Sequence, residues 1–118
     1  MTIKNTLALA ALASFFAGCA TAPADTTPAP PTVDAATSCF SSVAQLPQWD
    51  EPEAGVRRAW AVVRYELDGS GSASAVRLGS SSGSTAFDTG VVRSYALAKF
   101  TPGVKRAGCT ELASFERR

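Results

Sequence analysis

The side chains with the most distinctive chemistry in this 118-residue chain are its three cysteines, Cys19, Cys39 and Cys109. A thiol can form a disulfide, ligate a metal, act as a nucleophile or carry a lipid, so the surroundings of each cysteine decide its role. The chain contains no histidine, which excludes Ser-His-Asp and Cys-His catalysis and the ordinary zinc and copper sites. No cofactor motif is present either. We therefore expect a protein that is not an enzyme and that uses no cofactor or metal.

Cys19 directly follows a segment with the features of an export signal. Lys4 provides a positive charge, and residues 7–18 form an apolar stretch that is too short to cross a hydrocarbon layer of about 30 Å. Two small residues precede the cysteine. The arrangement resembles the lipobox of bacterial lipoproteins, which implies that residues 1–18 are removed and that the Cys19 thiol is acylated, with palmitate as a typical chain. An ordinary secretory signal cleaved after residue 22 is the alternative.

Acylation of Cys19 would leave Cys39 and Cys109 as a pair. An exported protein meets oxidising conditions, in which two remaining thiols can form a disulfide. The bond would join the first residues of the folded domain to its last segment. The bond would close a loop of 70 residues, for which the chain-entropy model gives a stabilisation of roughly 4 kcal/mol. Two independent buried thiols are the alternative.

The mature chain divides by composition into a tether and one small domain. Residues 19–37 are rich in proline, alanine and threonine, a composition that favours an extended, unstructured tether. Residues 38–118 are long enough for one domain. Lysine and arginine nearly balance aspartate and glutamate and no basic patch stands out, so we expect no binding of nucleic acid.

Three further patterns suggest sites, and each has a simpler interpretation. Residues 79–83 match the G-x-S-x-G nucleophile elbow, but a chain without histidine cannot complete that triad, so we interpret them as a flexible connection. The acids at positions 50, 51 and 53 lack the spacing of a calcium loop; we interpret them as charges at the start of a short helix. Trp49 and Trp60 could form an aromatic platform, although packing in the core is favoured.

The apolar periodicity of residues 59–116 predicts an α+β domain. Residues 59–67 and 72–80 alternate as two strands joined by a glycine turn, and residues 110–116 form a third strand with Leu112 and Phe115 as its apolar residues. Between them, a helix capped by Thr85 carries apolar residues at helical spacing. We predict a two-layer sandwich of order β-β-α-β, with a three-stranded antiparallel sheet (order 2-1-3) and one covering helix.

Residues 47–116 resemble the C-terminal domain of the TonB family of periplasmic energy transducers. The resemblance lies in the order and spacing of six short segments: Pro47-Gln48-Trp49, residues 61–69, Val76-Arg77-Leu78, residues 80–83, Phe87-Asp88 with Val91, Val92 and Tyr95, and Phe100-Thr101-Pro102. The resemblance implies that an extended peptide from an envelope protein or receptor adds to the sheet edge by β-augmentation. The implied edge strand is Thr110, Glu111, Leu112, Ala113, Ser114 and Phe115.

The chain also departs from that family. It lacks the family's histidine and is expected to lose its N-terminus, so the resemblance implies a binding module and leaves energy transduction out. Ala20 follows the acylated cysteine where aspartate would mark inner-membrane retention, which favours the outer membrane, with the domain facing the periplasm. We therefore expect a lipid-anchored binding protein linked to transport or envelope organisation. A structural or assembly lipoprotein, such as a pilot or cell-wall-associated factor, is the alternative, and the sequence leaves homodimer formation open. An edge guarded by Glu111, Glu116 and Arg117 that binds no peptide is equally consistent with the residues.

Overall fold

The computed structural model describes residues 26–118; the predicted export signal and the predicted acylation site, Cys19, lie outside this range. The described chain contains six regular elements and two single turns of 3₁₀-helix, at Ala35–Thr37 and Phe40–Ser42. The regular elements are, in order, β1 (Val43–Gln45), β2 (Arg58–Asp68), β3 (Ala73–Ser81), α1 (Thr85–Leu97), β4 (Lys99–Phe100) and β5 (Lys105–Glu116).

The strands form two small antiparallel sheets beside one main helix, so the predicted α+β class is confirmed. The larger sheet has the order β3-β2-β5, and β1 pairs with β4 in a separate two-stranded sheet. The second sheet was not predicted. Strands of two and three residues are too short to show an alternation of apolar and polar side chains, which is the signal that sequence analysis uses.

The hairpin of β2 and β3 confirms the alternation read from the sequence. On β2, Ala59, Ala61, Val63, Tyr65 and Leu67 belong to the buried core. Gly69 and Gly71 in the connecting turn have φ angles of 96° and 90°, which glycine adopts without the steric cost that a Cβ atom brings. The turn therefore lies where the glycines predicted it.

The residue that caps the N-terminus of α1 is Ser84 and not the predicted Thr85, which is the first residue of the helix. The Ser84 hydroxyl oxygen accepts a bond from the Phe87 amide at 3.3 Å. It also donates to the Glu53 carboxylate, which in addition accepts from the Ala86 amide at 3.1 Å. These bonds, that with the Ser84 hydroxyl foremost, hold the pKa of Glu53 below its usual value.

The short helix predicted at residues 51–54 is wrong. This stretch is a loop with a turn closed by a bond from the Val56 amide to the Glu53 carbonyl at 3.1 Å, and Gly55 follows at a φ of 91°. The Glu53 carboxylate instead accepts hydrogen bonds at the N-terminus of α1, about thirty positions further along the chain. Pairs of acidic residues near a proline predict a local helix start, and the tertiary fold uses one of them at another helix.

The core lies between α1 and the inward face of the larger sheet. Phe87 and Val91 of α1 are fully buried, and the Tyr95 ring stacks on Tyr65 of β2 with centroids 5.4 Å apart. Phe100 of β4 completes this aromatic group, its ring 5.4 Å from that of Tyr65. Burial of each such side chain stabilises the fold by roughly 1.5–3 kcal/mol.

Strand β5 starts five residues before the predicted third strand, and its core side differs from the expectation. Cys109, Glu111 and Ala113 point into the core, whereas Leu112 is 39% exposed on the opposite face. The two apolar residues of the prediction, Leu112 and Phe115, are three apart and so cannot share one face of a strand. The small and polar residues of the inward row hid the true period.

The proline-rich residues 26–34 have no regular secondary structure, as their composition predicted, but they contact the folded domain. They run across the face of the larger sheet opposite α1, here called the outer face, where the Trp60 indole donates to the Pro28 carbonyl at 2.7 Å. The turn Ala35–Thr37 then passes β5. The contact with the sheet was not predicted, because it depends on where the chain returns in space.

We predict that Gly90→Ala destabilises the protein, although alanine is the better helix former. An added Cβ at Gly90 would lie 2.9 Å from the Asp50 backbone nitrogen and 3.5 Å from the Trp49 Cβ. The expected loss is about 1–3 kcal/mol by overpacking, measured by urea denaturation.

Thr89→Ala is the matched control, because Thr89 is exposed on the same helix. It should stabilise the protein slightly, by no more than about 0.7 kcal/mol. Stabilisation by Gly90→Ala of the size that helix propensity alone gives would contradict the close packing of the 49–50 segment on α1.

Candidate functional site

The residues predicted to bind a peptide lie at an edge of the larger sheet. Among the described strands β5 pairs with β2 alone, so its other side presents backbone groups that no described strand takes up. Residues 110–115 of β5, here called the edge segment, fall in the half where pairing with β2 is regular. An edge of this kind can accept an additional strand.

The opposite edge, formed by β3, is irregular. The pairing of β2 with β3 shifts register twice, and Ala75 has a φ of 54°. On the β5 side the register runs without a shift from Arg58 opposite Glu116 to Tyr65 opposite Cys109. Bulges twist an edge and interrupt the row of groups that an incoming strand needs. The two edges therefore differ, and the edge segment is the more regular template.

The predicted disulfide between Cys39 and Cys109 is confirmed, with the two Cα atoms 5.5 Å apart. Both residues are buried. The bond attaches the N-terminal part of the domain to the middle of β5, at the point where the chain has left the outer face. It thus fixes the position of the residues on either side of Cys39.

Glu111 holds the same junction through hydrogen bonds. Its carboxylate accepts from the Ser38 hydroxyl at 2.7 Å, from the Cys39 amide at 2.8 Å and from the Tyr65 hydroxyl at 2.6 Å. Burial and the bond to this carboxylate raise the pKa of Tyr65 above its ordinary value of 10, so its hydroxyl stays a donor. We call the disulfide and these three bonds the clasp.

The clasp and the turn before it hold β5 near its middle, at Cys109 and Glu111. The turn Ala35–Thr37 packs on β5, and the Arg106 guanidinium donates to the Ala36 carbonyl at 3.1 Å. Of the strand before Cys109, these contacts involve Arg106, whereas Lys105, Ala107 and Gly108 are exposed. The edge segment follows directly after Cys109, so the clasp lies at its beginning.

A groove of about 390 Å³ lies beside the end of the edge segment. Its apolar part includes the Trp49 ring, which packs edge-on to Phe87 at 6.2 Å and parallel to Tyr95 at 6.5 Å. Ion pairs hold its rim, since Asp50 bonds to Arg93 at 2.7 Å and Glu51 to Arg117 at 3.0 Å. The lining residues are Leu46, Pro47, Gln48, Trp49, Asp50, Glu51 and Phe115. A groove with an apolar floor can hold a side chain of a segment that lies along the neighbouring edge.

The structure divides the predicted peptide-binding residues between three environments. Leu112 and Ser114 lie on the outer face opposite Val62 and Trp60, and Thr110 lies there opposite Arg64. Ala113 and Glu111 are buried on the core side, and Phe115 lines the groove. Glu111 is therefore not a surface charge that guards the edge. The Trp rings do not form one platform, because Trp60 points to the outer face and Trp49 packs against α1.

Sequence analysis missed the roles of Ser38 and Tyr65 in the clasp. The alternation of Cys109, Glu111 and Ala113 on one side of a strand was the available signal, since a carboxylate beside a disulfide cysteine on an inward row needs buried donors. The partners themselves lie more than 40 positions away in sequence, and periodicity carries no information about such contacts.

We predict that Tyr65→Phe lowers the free energy of unfolding by about 1.5–3 kcal/mol, because it removes one of three donors to a buried carboxylate. Urea denaturation of the oxidised protein measures this. Tyr95→Phe is the matched control: it removes a hydroxyl from the ring stacked on Tyr65 without taking a donor from Glu111, and should cost less. Equal effects of the two substitutions would show that the bond to Glu111 contributes nothing of its own.

Comparisons with known proteins add no family to this geometry. No family model matches the chain, and no curated protein or solved structure matches it. Among residues 26–118, no helix combines the length and apolar character needed to cross a membrane. Within the same range, no group of three or more histidine, cysteine or acidic side chains is arranged to hold a metal ion.

Proposed function

We propose that this protein is a lipid-anchored protein of a bacterial envelope whose TonB C-terminal-like domain binds an extended segment of another envelope protein or receptor. The observation that carries the proposal is the edge segment, a regular half of β5 with which no described strand pairs on the side away from β2. Backbone hydrogen bonds from that edge supply the affinity, and nearby side chains select the sequence. The role is linked to outer-membrane transport or envelope organisation.

The proposal rests on the family resemblance of the sequence, together with the mixed arrangement of two small antiparallel sheets and one main helix. The finer form of the fold that we propose is a two-layer β-β-α-β sandwich, in which β2, β3, α1 and β5 are the common elements. The N-terminal turns and the β1–β4 pair are then additions specific to this chain. The additions matter for binding, because they build the clasp and one wall of the groove.

The groove gives the bound segment a direction and a preference. A strand that pairs with the edge segment extends past Phe115 towards Trp49, where an apolar side chain is taken out of water. Burial of such a side chain is worth roughly 1.5–3 kcal/mol. We therefore propose a segment with one large apolar residue near the end that lies over the groove.

The anchor is the second part of the proposal. Acylation at Cys19 places the domain at the periplasmic face of the outer membrane, where partners diffuse in two dimensions. The proposed role does not include coupling to an ion gradient, because the lipid anchor takes the place of the membrane helix through which an energy transducer is coupled.

A photo-crosslinking experiment in cells tests the binding edge. We predict that p-benzoylphenylalanine in place of Leu112 gives, on illumination, a defined adduct with an envelope protein, because side chains of an added strand lie about 4.5–5.5 Å from their neighbours. Peptide mapping should place the adduct in one continuous segment of that partner.

Leu78 provides the matched control, since it is 42% exposed against 39% for Leu112 and lies in the other edge strand of the same sheet. The same replacement at Leu78 should not give this adduct. Identical adducts from both positions, or none from Leu112 in cells that contain the folded protein, would contradict β-augmentation at β5.

The mass of the intact protein extracted from membranes tests the anchor. We expect a chain that begins at Cys19 and carries acyl groups, with a mass lower by two hydrogens than that of the reduced form because of the disulfide. An unmodified chain beginning at residue 23 would match the ordinary signal peptide instead and would remove the membrane from the proposal.

A further inference from the structure

The outer face of the larger sheet carries apolar side chains that solvent-facing strands normally lack. Trp60 and Val62 of β2 point away from α1, yet they are only 7% and 3% exposed. In an antiparallel sheet with one packed side, such positions are usually polar. Their burial comes from the proline-rich segment, residues 26–34, that lies over them.

The contact between the two has the chemistry of proline-rich peptide recognition. The Trp60 indole N–H donates to the Pro28 carbonyl at 2.7 Å, and a cleft of about 330 Å³ joins Pro28 and Pro30 to Trp60 and Phe115. Pro28 and Pro31 have the spacing of a P-x-x-P sequence. Aromatic grooves bind such segments because proline presets an extended backbone and lowers the entropic cost of ordering it.

The segment continues along the same face towards β5. A second cleft of about 290 Å³ brings residues 31–34 together with Val62, Arg64 and Thr110. The seated stretch therefore spans both buried apolar residues of the outer face, from Trp60 to Val62. This length matches that of a short extended peptide with several anchoring points.

Little of the segment's own surface is buried. All three of its prolines are exposed to solvent, and the half-buried members among residues 26–34 are Thr27 and Val33. The groove is thus more completely covered than the segment is buried. A ligand with so little of its own surface removed from water is held weakly and can exchange with a competitor.

We propose that the outer face of the sheet is a binding groove for proline-rich peptides, which the chain's own residues 26–34 occupy and which a proline-rich segment of another polypeptide can enter by displacing them. The indole N–H of Trp60 selects a peptide carbonyl next to proline, and Val62 receives the residues that follow. The clefts share Thr110, Ser114 and Phe115 with the edge segment, but the proposal uses the outer face of the sheet and not the unpaired backbone edge, and it does not rest on the peptide binding proposed there.

Given the proposed acylation of Cys19, occupancy of the groove also sets how far the domain can stand from its lipid anchor. With the proline-rich segment seated, residues 20–25 remain between the anchor and the groove, a span of roughly 20 Å at about 3.1 Å per residue. With residues 26–34 released and the turn Ala35–Thr37 still held on β5, residues 20–34 allow roughly 45 Å. A competing peptide would therefore increase the maximal distance between the domain and its lipid anchor.

The test uses the protein as cells produce it, isotope-labelled at its two tryptophans, and a synthetic peptide with the sequence of residues 26–34. Titration should move the indole signal of Trp60 in a saturable way and leave that of Trp49 unchanged. Trp49 is the internal control, because it packs on the other side of the sheet.

The cis segment is then weakened in the full chain by Pro28→Gly, Pro30→Gly and Pro31→Gly together. This variant should bind the peptide at least about tenfold more tightly, because less of its groove is occupied. Binding by each variant is also measured by the fluorescence anisotropy of a dye-labelled peptide, and by this readout adding Trp60→Phe should abolish the gain while the melting temperature shows that the fold is kept. A peptide with glycine in place of all three prolines should not bind.

Three results would overturn the proposal. One is a Trp60 signal in the triple variant that peptide does not move, while an unchanged pattern of the remaining signals shows a folded chain. Another is equal binding of the glycine peptide. The last is a dimer, seen by light scattering at concentrations where the Trp60 signal shifts without peptide, which would assign the groove to a second copy. If the triple variant does not fold, failure of excess peptide to move Trp60 in the unaltered chain decides against the groove.

Discussion

The clasp is the interaction on which the rest of this small domain depends. A disulfide and a buried carboxylate with three donors meet at Cys39, Cys109 and Glu111. Before Cys39 the chain crosses the outer face of the sheet, and after it the chain forms β1 and one wall of the groove. The disulfide and the bond to Glu111 fix Cys39 to β5. The segment that crosses the outer face and the segment that leads into β1 are therefore both attached to β5.

Burial of Glu111 without a cation among its hydrogen-bond partners is costly unless every lone pair that faces the protein is used. The three donors come from two separate parts of the chain, so the carboxylate is satisfied only when residues 38–39 and β2 are both in place. The arrangement couples the covalent link to the packing of Tyr65 and Tyr95. It also explains how a domain of this size keeps a polar group next to its aromatic core.

The sequence predicted the elements with strong periodicity and missed those that depend on return contacts. The hairpin of β2 and β3 and the presence of a helix after it follow from alternation, glycine turns and helical spacing. The cap at Ser84, the loop at residues 51–54 and the burial of Glu111 do not, because each depends on a partner distant in sequence. The predicted disulfide is the exception, since counting thiols identified a pair that periodicity could not.

The candidate site divides in the same way. The position of the edge followed from the order of the strands, which the pattern of elements already suggested. The groove beside Phe115 and the cover over Trp60 could not be predicted, because they are made by loops whose composition reveals no direction. Prolines and alanines favour an extended chain, and nothing in them indicates that Trp60 will donate to Pro28.

Residue-resolved hydrogen exchange of the oxidised protein tests the central claim most directly, namely that the clasp holds β5 near its middle while the side of the edge segment that faces away from β2 stays unpaired. The account predicts slow exchange throughout β2, and slow exchange for those amides of β5 that bond to β2. The amides of the edge segment that face away from β2 should exchange far faster than the amides of the same segment that bond to β2. Uniformly slow exchange along residues 110–115 would contradict the account, because it would mean that the edge is already occupied.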